Sequence, residues 1–247
     1  MGKMESTPWY REAFDELYTE IYGHRDEMEA IAAVDLLKRR ISIAGSLVLD
    51  LACGAGRHME ALAAAGAKPV GLDLSASLLA EARRAGRSDL IRGDMRALPF
   101  RAEVFDGAVS MFTSFGYFPE RREEVAVLVE TARCLKAGGW FVLDYMNSNL
   151  VRSSLEPLTR RKAGRLDVVE RRRLTAGRDR VIKKVEVFSG GRLMREFSEE
   201  VRLLSRGEIA EMMGGAGLRP RLVLGDYDGA PYVAAGSPRL ITFGVKE

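Results

Sequence analysis

The stretch Val48-Leu49-Asp50-Leu51-Ala52-Cys53-Gly54-Ala55-Gly56-Arg57-His58 constrains this chain more than any other. A continuous apolar run ends in an acid. A turn of small residues follows and leads at once into a helical pattern. Apolar runs of this length bounded by glycine read as strands buried on both faces, the habit of parallel sheets. Small residues let the backbone approach a ligand, and a helix start presents unpaired N–H groups and a positive dipole end. In open α/β sheets, ligands bind at the carboxyl ends of such strands.

The strand-and-helix unit repeats. Pro69 to Asp73 reads as a second strand, and Ser75 to Arg84 as a helix that Ser75 caps. Leu90 to Asp94 reads as a third strand and Phe105 to Phe112 as a fourth. Pro119 opens a helix whose apolar face (Val125, Leu128, Val129, Ala132, Leu135) ends at Gly138-Gly139, before a fifth strand at Trp140 to Tyr145. Upstream, 8–23 and 26–41 read as amphipathic helices. Alternation of this kind predicts a parallel sheet with right-handed crossovers.

The middle of the chain differs. Val168–Leu174, Val181–Phe188 and Arg195–Leu203 are β-rich, with glycine-containing turns and no helical pattern between them, so they read as an antiparallel meander. Ser205-Arg206-Gly207-Glu208 has capping-box spacing, and Leu218–Leu224 and Arg239–Val245 read as the last strands of the main sheet. The expected fold is α/β: a seven-stranded, mostly parallel, doubly wound sheet, its last strand antiparallel, with an inserted antiparallel β-meander lid. The expected organisation is an N-terminal helical lid over 1–45, a ligand-binding core over 46–150, a meander cap over 151–204, and the rest of the core over 205–247.

A dinucleotide fingerprint needs a third glycine where this chain has Met59. Asp50 suits a cation better than a pyrophosphate. The segment instead resembles the first motif of class I S-adenosylmethionine (SAM)-dependent methyltransferases, Asp/Glu-x-Gly-x-Gly-x-Gly, with Ala52 in place of the first glycine. Gly93-Asp94-Met95, Phe105 to Phe112, and Leu135-Lys136-Ala137-Gly138-Gly139-Trp140 are similar to later motifs of that family, in order, across about residues 46–146. Thr113 to Phe118, Asp144-Tyr145-Met146-Asn147 and Gly225-Asp226-Tyr227-Asp228-Gly229 are similar to a bacterial subgroup that acts on small molecules and carries a β insertion after strand five.

The resemblance implies SAM as cofactor. It implies that Asp50, Ala52, Cys53, Gly54 and Gly56 form the cofactor loop, that Asp73 accepts from the ribose hydroxyls, and that Leu74 lines the adenine. It implies that Asp94 accepts from the adenine amino group and that Met95 offers its N–H. Met111 and Tyr10 complete the expected cofactor contacts, and Tyr117 and Tyr22 the expected substrate contacts. The fourth-strand tip, Ser110-Met111-Phe112-Thr113, lacks the Asn/Asp-Pro-Pro-Tyr/Phe signature of enzymes that methylate planar amino groups. An aliphatic amine, hydroxyl, carboxylate or carbon nucleophile remains open, and the expected acceptor is an N or O nucleophile on a small molecule. His58, Tyr117 and His24 are the candidates for an acid–base role.

Charge and composition bound the alternatives. Residues 151–206 hold 16 of the 38 Lys and Arg but 8 of the 35 acids. Such a basic segment leaves open a nucleic-acid-directed methyltransferase, although interleaved acids favour a solvated sheet face. A binder of SAM or its demethylated product that acts through a partner is the other alternative. Cys53 and Cys134 form no disulfide framework or metal cluster, and no metal is expected. No apolar run is long enough to span a bilayer, and Met1 to Glu20 lacks the apolar stretch of a secretory leader. The expected location is cytoplasmic.

Overall fold

The computed structural model describes residues 8–14, 16–22 and 27–247. A short 3-10 turn, Trp9–Arg11, precedes α1 (Glu16–Tyr22) and α2 (Glu27–Arg40). The core runs β1 (Leu47–Leu51), α3 (Arg57–Ala64), β2 (Lys68–Asp73), α4 (Ala76–Arg84), β3 (Leu90–Arg92), β4 (Phe105–Ser110), α5 (Arg121–Cys134) and β5 (Leu135–Met146). After α6 (Ser148–Ser154) come β6 (Leu158–Ala163), β7 (Leu166–Leu174), β8 (Arg180–Ser189) and β9 (Arg192–Arg202). The chain then returns through α7 (Arg206–Gly215), β10 (Leu218–Leu224) and β11 (Arg239–Lys246).

The main sheet has the order β10-β11-β5-β4-β1-β2-β3, and β6 to β9 form a separate four-stranded sheet in sequence order. Pairs β1–β2, β1–β4, β2–β3 and β4–β5 are parallel, and β11 is antiparallel to both its neighbours. The seven-stranded, doubly wound expectation holds, as does the inserted antiparallel sheet. β2 and β4 flank β1 on opposite sides, so the strand order reverses there and opens a crevice at the carboxyl ends.

Alternation along the central strands feeds two cores. Leu49, Leu51, Ala108, Phe141, Leu143 and Tyr145 point to the face covered by α5 and α7. Val48, Val109, Val142, Ile241 and Phe243 point to the face covered by α2 and α3. Both faces are dry, which is why β1 reads as an unbroken apolar run. A change such as Leu49→Ala costs about 2–5 kcal/mol at such a position.

Several boundaries differ from the sequence reading. The 8–23 pattern is not one helix: it breaks into the 3-10 turn and α1. The third strand stops at Arg92, and α5 starts at Arg121, capped by Glu120 in a capping box, rather than at Pro119. It ends at Cys134 and not at Gly138-Gly139, because Leu135 is already extended and pairs with Phe105. The meander has a fourth strand, β6, whose sequence, Leu-Thr-Arg-Arg-Lys-Ala, is too basic to read as a strand alone. Ser75 and Ser205 cap their helices as expected, each accepting an N–H three residues on at 3.2 Å.

Helix α1 lies on the inserted sheet. Ile21 and Tyr22 pack with Leu166, Val168, Val185 and Val187 in one buried cluster. A polar triad pins the same contact: Lys183 Nζ donates to the Tyr22 hydroxyl at 2.9 Å, that hydroxyl donates to Glu199 Oε1 at 3.1 Å, and Lys183 pairs with Glu199 at 2.7 Å. At the other end, the Ser75 and Ser77 hydroxyls donate to the Phe14 carbonyl at 2.6 and 3.0 Å. The N-terminal segment therefore bridges the core and the insertion across the crevice.

Candidate active site

The turn after β1 is built from three left-handed residues in alternation: Ala52 at φ 56°, Gly54 at φ 56° and Gly56 at φ 81°. Glycine takes this conformation at no steric penalty, whereas alanine is strained by about 1–2 kcal/mol. Ala52 thus occupies a position whose backbone asks for glycine. The Cys53 N–H donates to Leu72 O at 3.1 Å and ties the turn to β2. Gly56 then opens α3 as its N-cap.

Asp73 organises the same turn. Its Oδ2 accepts the Gly54 N–H and its Oδ1 the Ser75 N–H, both at 2.8 Å. Each oxygen keeps a lone pair for another donor. Burial raises its pKa, opposed by the N–H groups of Ser75 and Gly54. Asp50, 1% exposed, is more extreme: burial, with the neighbouring Asp73 charge, pushes its carboxyl up to about 8. Its Oδ2 is buried with no hydrogen-bond partner. A buried carboxyl oxygen without a partner is costly unless a cation or donor completes it.

A cavity of about 730 Å³ opens over this turn, within the usual range for small-molecule sites. Of the sequence-predicted residues, Tyr10, Ala52, Cys53, Gly54, Asp73, Leu74, Asp94, Met95, Met111 and Tyr117 line it, with Tyr22 and His58. Asp50 and Gly56 do not line it; they stand behind its wall. His24 lies outside the described residues. Phe14, Tyr18, Arg57, Phe112 and Ser114 also line the cavity and were missed. Phe14 and Tyr18 carry the helical spacing of a packing face, and only the fold turns that face toward the crevice.

The surroundings modify several expected roles. Asp94 accepts from Arg96 Nε at 3.0 Å and Nη2 at 2.6 Å, and from the Arg96 N–H at 3.0 Å. Burial raises its pKa, but these contacts and the Arg96 charge outweigh it and hold the carboxyl below its usual value. Arg96 lies over the Phe118 ring at 4.8 Å and also reaches Glu123. Burial, then the charges of Arg57 and Arg239, push His58 down to about 3. Its imidazole is neutral, and its Nε2 is buried without a hydrogen-bond partner. Tyr22 has its hydroxyl in the Lys183–Glu199 triad, with Lys183 Nζ 4.9 Å and the Arg161 guanidinium 5.2 Å from its ring centre. Burial raises the pKa of Cys53, so it is an unreactive thiol.

Aromatic rings roof the cavity in sequence. Trp9 lies 4.8 Å from Tyr117, Phe14 stacks on Tyr117 at 6.2 Å, and Tyr18 sits 4.8 Å from Phe14 and 4.5 Å from Tyr22. No cluster of metal-ligating side chains occurs among the described residues. No helix among them is long and apolar enough to cross a membrane.

These features fit a cationic adenosyl ligand: a buried carboxyl with one oxygen lacking a hydrogen-bond partner, a second acid with spare lone pairs, and a close-approach turn at a helix start. Comparisons with known proteins agree. A methyltransferase-domain model matches residues 48–139. The cypemycin N-terminal methyltransferase of a Streptomyces species is 33% identical over 207 residues, covering 80% of this chain and 82% of that protein. The dTDP-3-amino-3,6-dideoxy-alpha-D-glucopyranose N,N-dimethyltransferase of Streptomyces fradiae is 28% identical over 232 residues, covering 87% of each. The crystal structure of Streptomyces venezuelae DesVI superimposes with a TM-score of 0.71 at 26% identity, over 94% of this chain and 98% of that one. The chain is an enzyme that uses SAM, and it belongs to the class I SAM-dependent methyltransferases.

Proposed function

We propose that the enzyme methylates an N or O nucleophile of a small molecule, with nitrogen preferred, by in-line displacement. The observation that carries this reading is the aromatic roof over an acid-rich cavity, since aromatic faces and carboxylates both favour cations. The two relatives named above are, by their names, an N-terminal methyltransferase and an N,N-dimethyltransferase of an amino sugar.

In this reading Asp73 holds the ribose hydroxyls with its remaining lone pairs, and Leu74 and Met95 line the adenine. Asp94, already clamped by Arg96, presents a fixed acceptor edge to the adenine amino group. The backbone of Ala52, Cys53 and Gly54, with Asp50 behind it and Gly56 opening the helix, receives the methionine portion. Met111 and Tyr10 close the remaining sides. When bound, SAM supplies an electrophilic methyl group on a sulfonium, with a neutral thioether as leaving group. The chain's own task is then to align the nucleophile and exclude water.

Tyr117 faces the acceptor. Tyr22 contributes a fixed wall, because its hydroxyl already bridges Lys183 and Glu199. His58 is too weakly basic to collect a proton at neutral pH, so an amine acceptor reacts from its neutral form. Residues 1–45 and 151–204 act together as a lid, since α1 is docked on the inserted sheet, while 46–150 and 205–247 form the core. Nucleic acid is not favoured as substrate. Two of the insertion's exposed bases are matched across strands: Arg171 with Glu186 at 3.1 Å, and Lys184 with Glu196 at 2.8 Å. The test is incubation with labelled SAM and a metabolite extract, followed by mass spectrometry. A labelled amine is the expected outcome; label confined to RNA, or SAM bound and never consumed, would reject the reading.

A further inference from the structure

We infer that Arg96 and Glu123, neither of which lines the cavity, are positioning residues that set the enzyme's selectivity for adenine through Asp94. This rests on the placement of the adenine against Asp94 proposed above.

Arg96 grips Asp94 by both carboxylate oxygens. Its Nε donates to Oδ1 at 3.0 Å and its Nη2 to Oδ2 at 2.6 Å, and its backbone N–H adds a further bond to Oδ1 at 3.0 Å. A two-pronged contact of this kind fixes the rotation of a carboxylate as well as pairing its charge. Arg11 also faces Asp94, but at 3.9 Å its guanidinium adds charge without a directional bond. Burial raises the Asp94 pKa, and the Arg96 contacts and charge outweigh it and keep the group ionised. An ionised carboxylate can only accept hydrogen bonds. One that cannot rotate accepts them along fixed directions.

The guanidinium is itself anchored. Its Nη1 pairs with Glu123 Oε1, in the first turn of α5. Glu123 Oε2 accepts the Glu120 N–H at 3.0 Å, so the same carboxylate closes the start of that helix. The guanidinium carbon lies 4.8 Å from the centre of the Phe118 ring, which is buried edge-on against Tyr10 at 5.6 Å. The side chains of Arg96, Asp94 and Glu123 are 22–25% exposed, so salt screens them less than an open surface pair. Lysine could not replace this arrangement, because an ammonium has no planar fork to engage both Asp94 oxygens while reaching Glu123. Adenine offers an amino N–H to the acid. A carboxylate locked in place binds that donor and cannot turn away to solvent when the donor is missing, so the lock creates the selectivity. A carboxylate free to rotate turns to solvent and loses the distinction.

The experiment titrates the intact protein by calorimetry with S-adenosylhomocysteine and with its analogue bearing hydrogen in place of the 6-amino group. The analogue keeps the ring nitrogens, so any contact from the Met95 N–H is common to both ligands. The parent should bind S-adenosylhomocysteine about tenfold or more tighter, the scale of a hydrogen bond to a charged acceptor. Arg96→Lys keeps the charge and loses the fork. Glu123→Gln keeps an acceptor for the Glu120 N–H and removes the charge that anchors Arg96. In each variant the preference should fall to about threefold or less, through weaker binding of S-adenosylhomocysteine alone. A change that merely loosened the fold would weaken both ligands alike and leave the ratio as it was. An unchanged ratio in both variants overturns the inference, and a fall in Arg96→Lys alone strikes Glu123 from it. Should Arg96→Lys fail to fold, Glu123→Gln, outside the cavity and with its helix cap kept, decides by itself. Equal binding of the two ligands by the parent would instead remove the adenine from Asp94, and with it the placement on which the inference rests.

Discussion

The backbone N–H of Phe112 donates to Asp144 Oδ2 at 2.9 Å, and the N–H of Thr113 donates to the Asp144 carbonyl at 3.0 Å. One fully buried residue at the end of β5 therefore holds both amides of the turn that ends β4. Phe112 and Thr113 sit at φ 61° and 64°, two successive left-handed residues without glycine. Such conformations are strained by roughly 1–3 kcal/mol each and persist only where the surroundings enforce them. Here the enforcement is an ionic cluster. Arg239 grips Asp144 with Nε and, at 2.8 Å, Nη2; Tyr227 donates its hydroxyl at 2.7 Å. The guanidiniums of Arg57 and Arg239 lie 4.3 and 4.9 Å from the centre of the Phe112 ring. Asp144→Ala leaves Arg239 buried without its partner and should destabilise the protein by about 3–5 kcal/mol. Asp144→Asn keeps an acceptor for Phe112 and should lose less. Denaturant titration of both variants measures this, and equal losses would deny any contribution from the hydrogen bond to Phe112, leaving the ion pair with Arg239 to account for the whole effect.

The raised Asp50 carboxyl predicts a pH dependence of SAM binding. The free protein holds this group protonated up to about pH 8, and a cationic ligand favours its ionised form. SAM affinity should therefore rise as pH increases toward 8 and level off above it. Binding at pH 7 should release a proton, seen as a calorimetric enthalpy that varies with buffer ionisation enthalpy. Stability of the free protein runs the other way. The folded state binds this proton more tightly than the unfolded state, so the group's contribution is full below about pH 4 and lost as pH rises through about 8. Asp50→Asn should abolish the proton release, and its persistence would assign the proton elsewhere.

Ala52 makes a prediction that depends on backbone alone. At φ 56°, glycine relieves about 1–2 kcal/mol of strain and adds unfolded-chain freedom of about 0.4–1 kcal/mol, so Ala52→Gly should stabilise modestly, by up to about 1 kcal/mol. Ala52→Val places a β-branched residue in the left-handed region and should destabilise by at least about 1 kcal/mol. Thermal melts in the presence and absence of SAM separate fold from binding. A neutral Ala52→Val would mean that the turn is not held left-handed in solution.

The central sheet was legible because its strands are buried on both faces, so Leu47 to Leu51 and Phe105 to Ser110 needed no tertiary partner to be recognised. Asp73 was legible because it ends a strand and is followed by a capping serine. What stayed hidden was pairing across long sequence distances. Arg96 follows Asp94 by two residues, yet nothing local says that it clamps that carboxylate. Arg239 and Asp144 are 95 residues apart, and neither stands out in its own segment. β6 was missed because its strand character comes from pairing with β7, whose Glu170 takes up Arg161 and Arg172. The basic excess of 151–206 looked like a surface property, but part of it points inward.

Arg202 and Arg180 are that inward part. Arg202 Nη2 donates to Pro119 O at 2.7 Å, and Arg180 Nη2 donates to Phe118 O and Pro119 O at 2.8 Å each. The Arg202 N–H donates to Gly116 O at 2.8 Å, and its Nε reaches Glu124 Oε1 at 3.3 Å. Through these contacts the inserted sheet fixes the loop that carries Tyr117. Glu124 is fully buried, with Oε2 unpartnered. Arg202→Ala should therefore cost about 3–5 kcal/mol, while the pair Arg202→Met and Glu124→Leu should recover most of that stability. The double variant still lacks the Arg202 guanidinium's bond to Pro119 O and keeps only that of Arg180, so stability and loop position come apart. Trp9, 4.8 Å from the Tyr117 ring, reports the loop directly in a Trp140→Phe background. The double variant should fold with stability close to that of the parent and yet show altered Trp9 emission and anisotropy. Parental emission in that variant would mean that the loop holds its place without the Arg202 side chain.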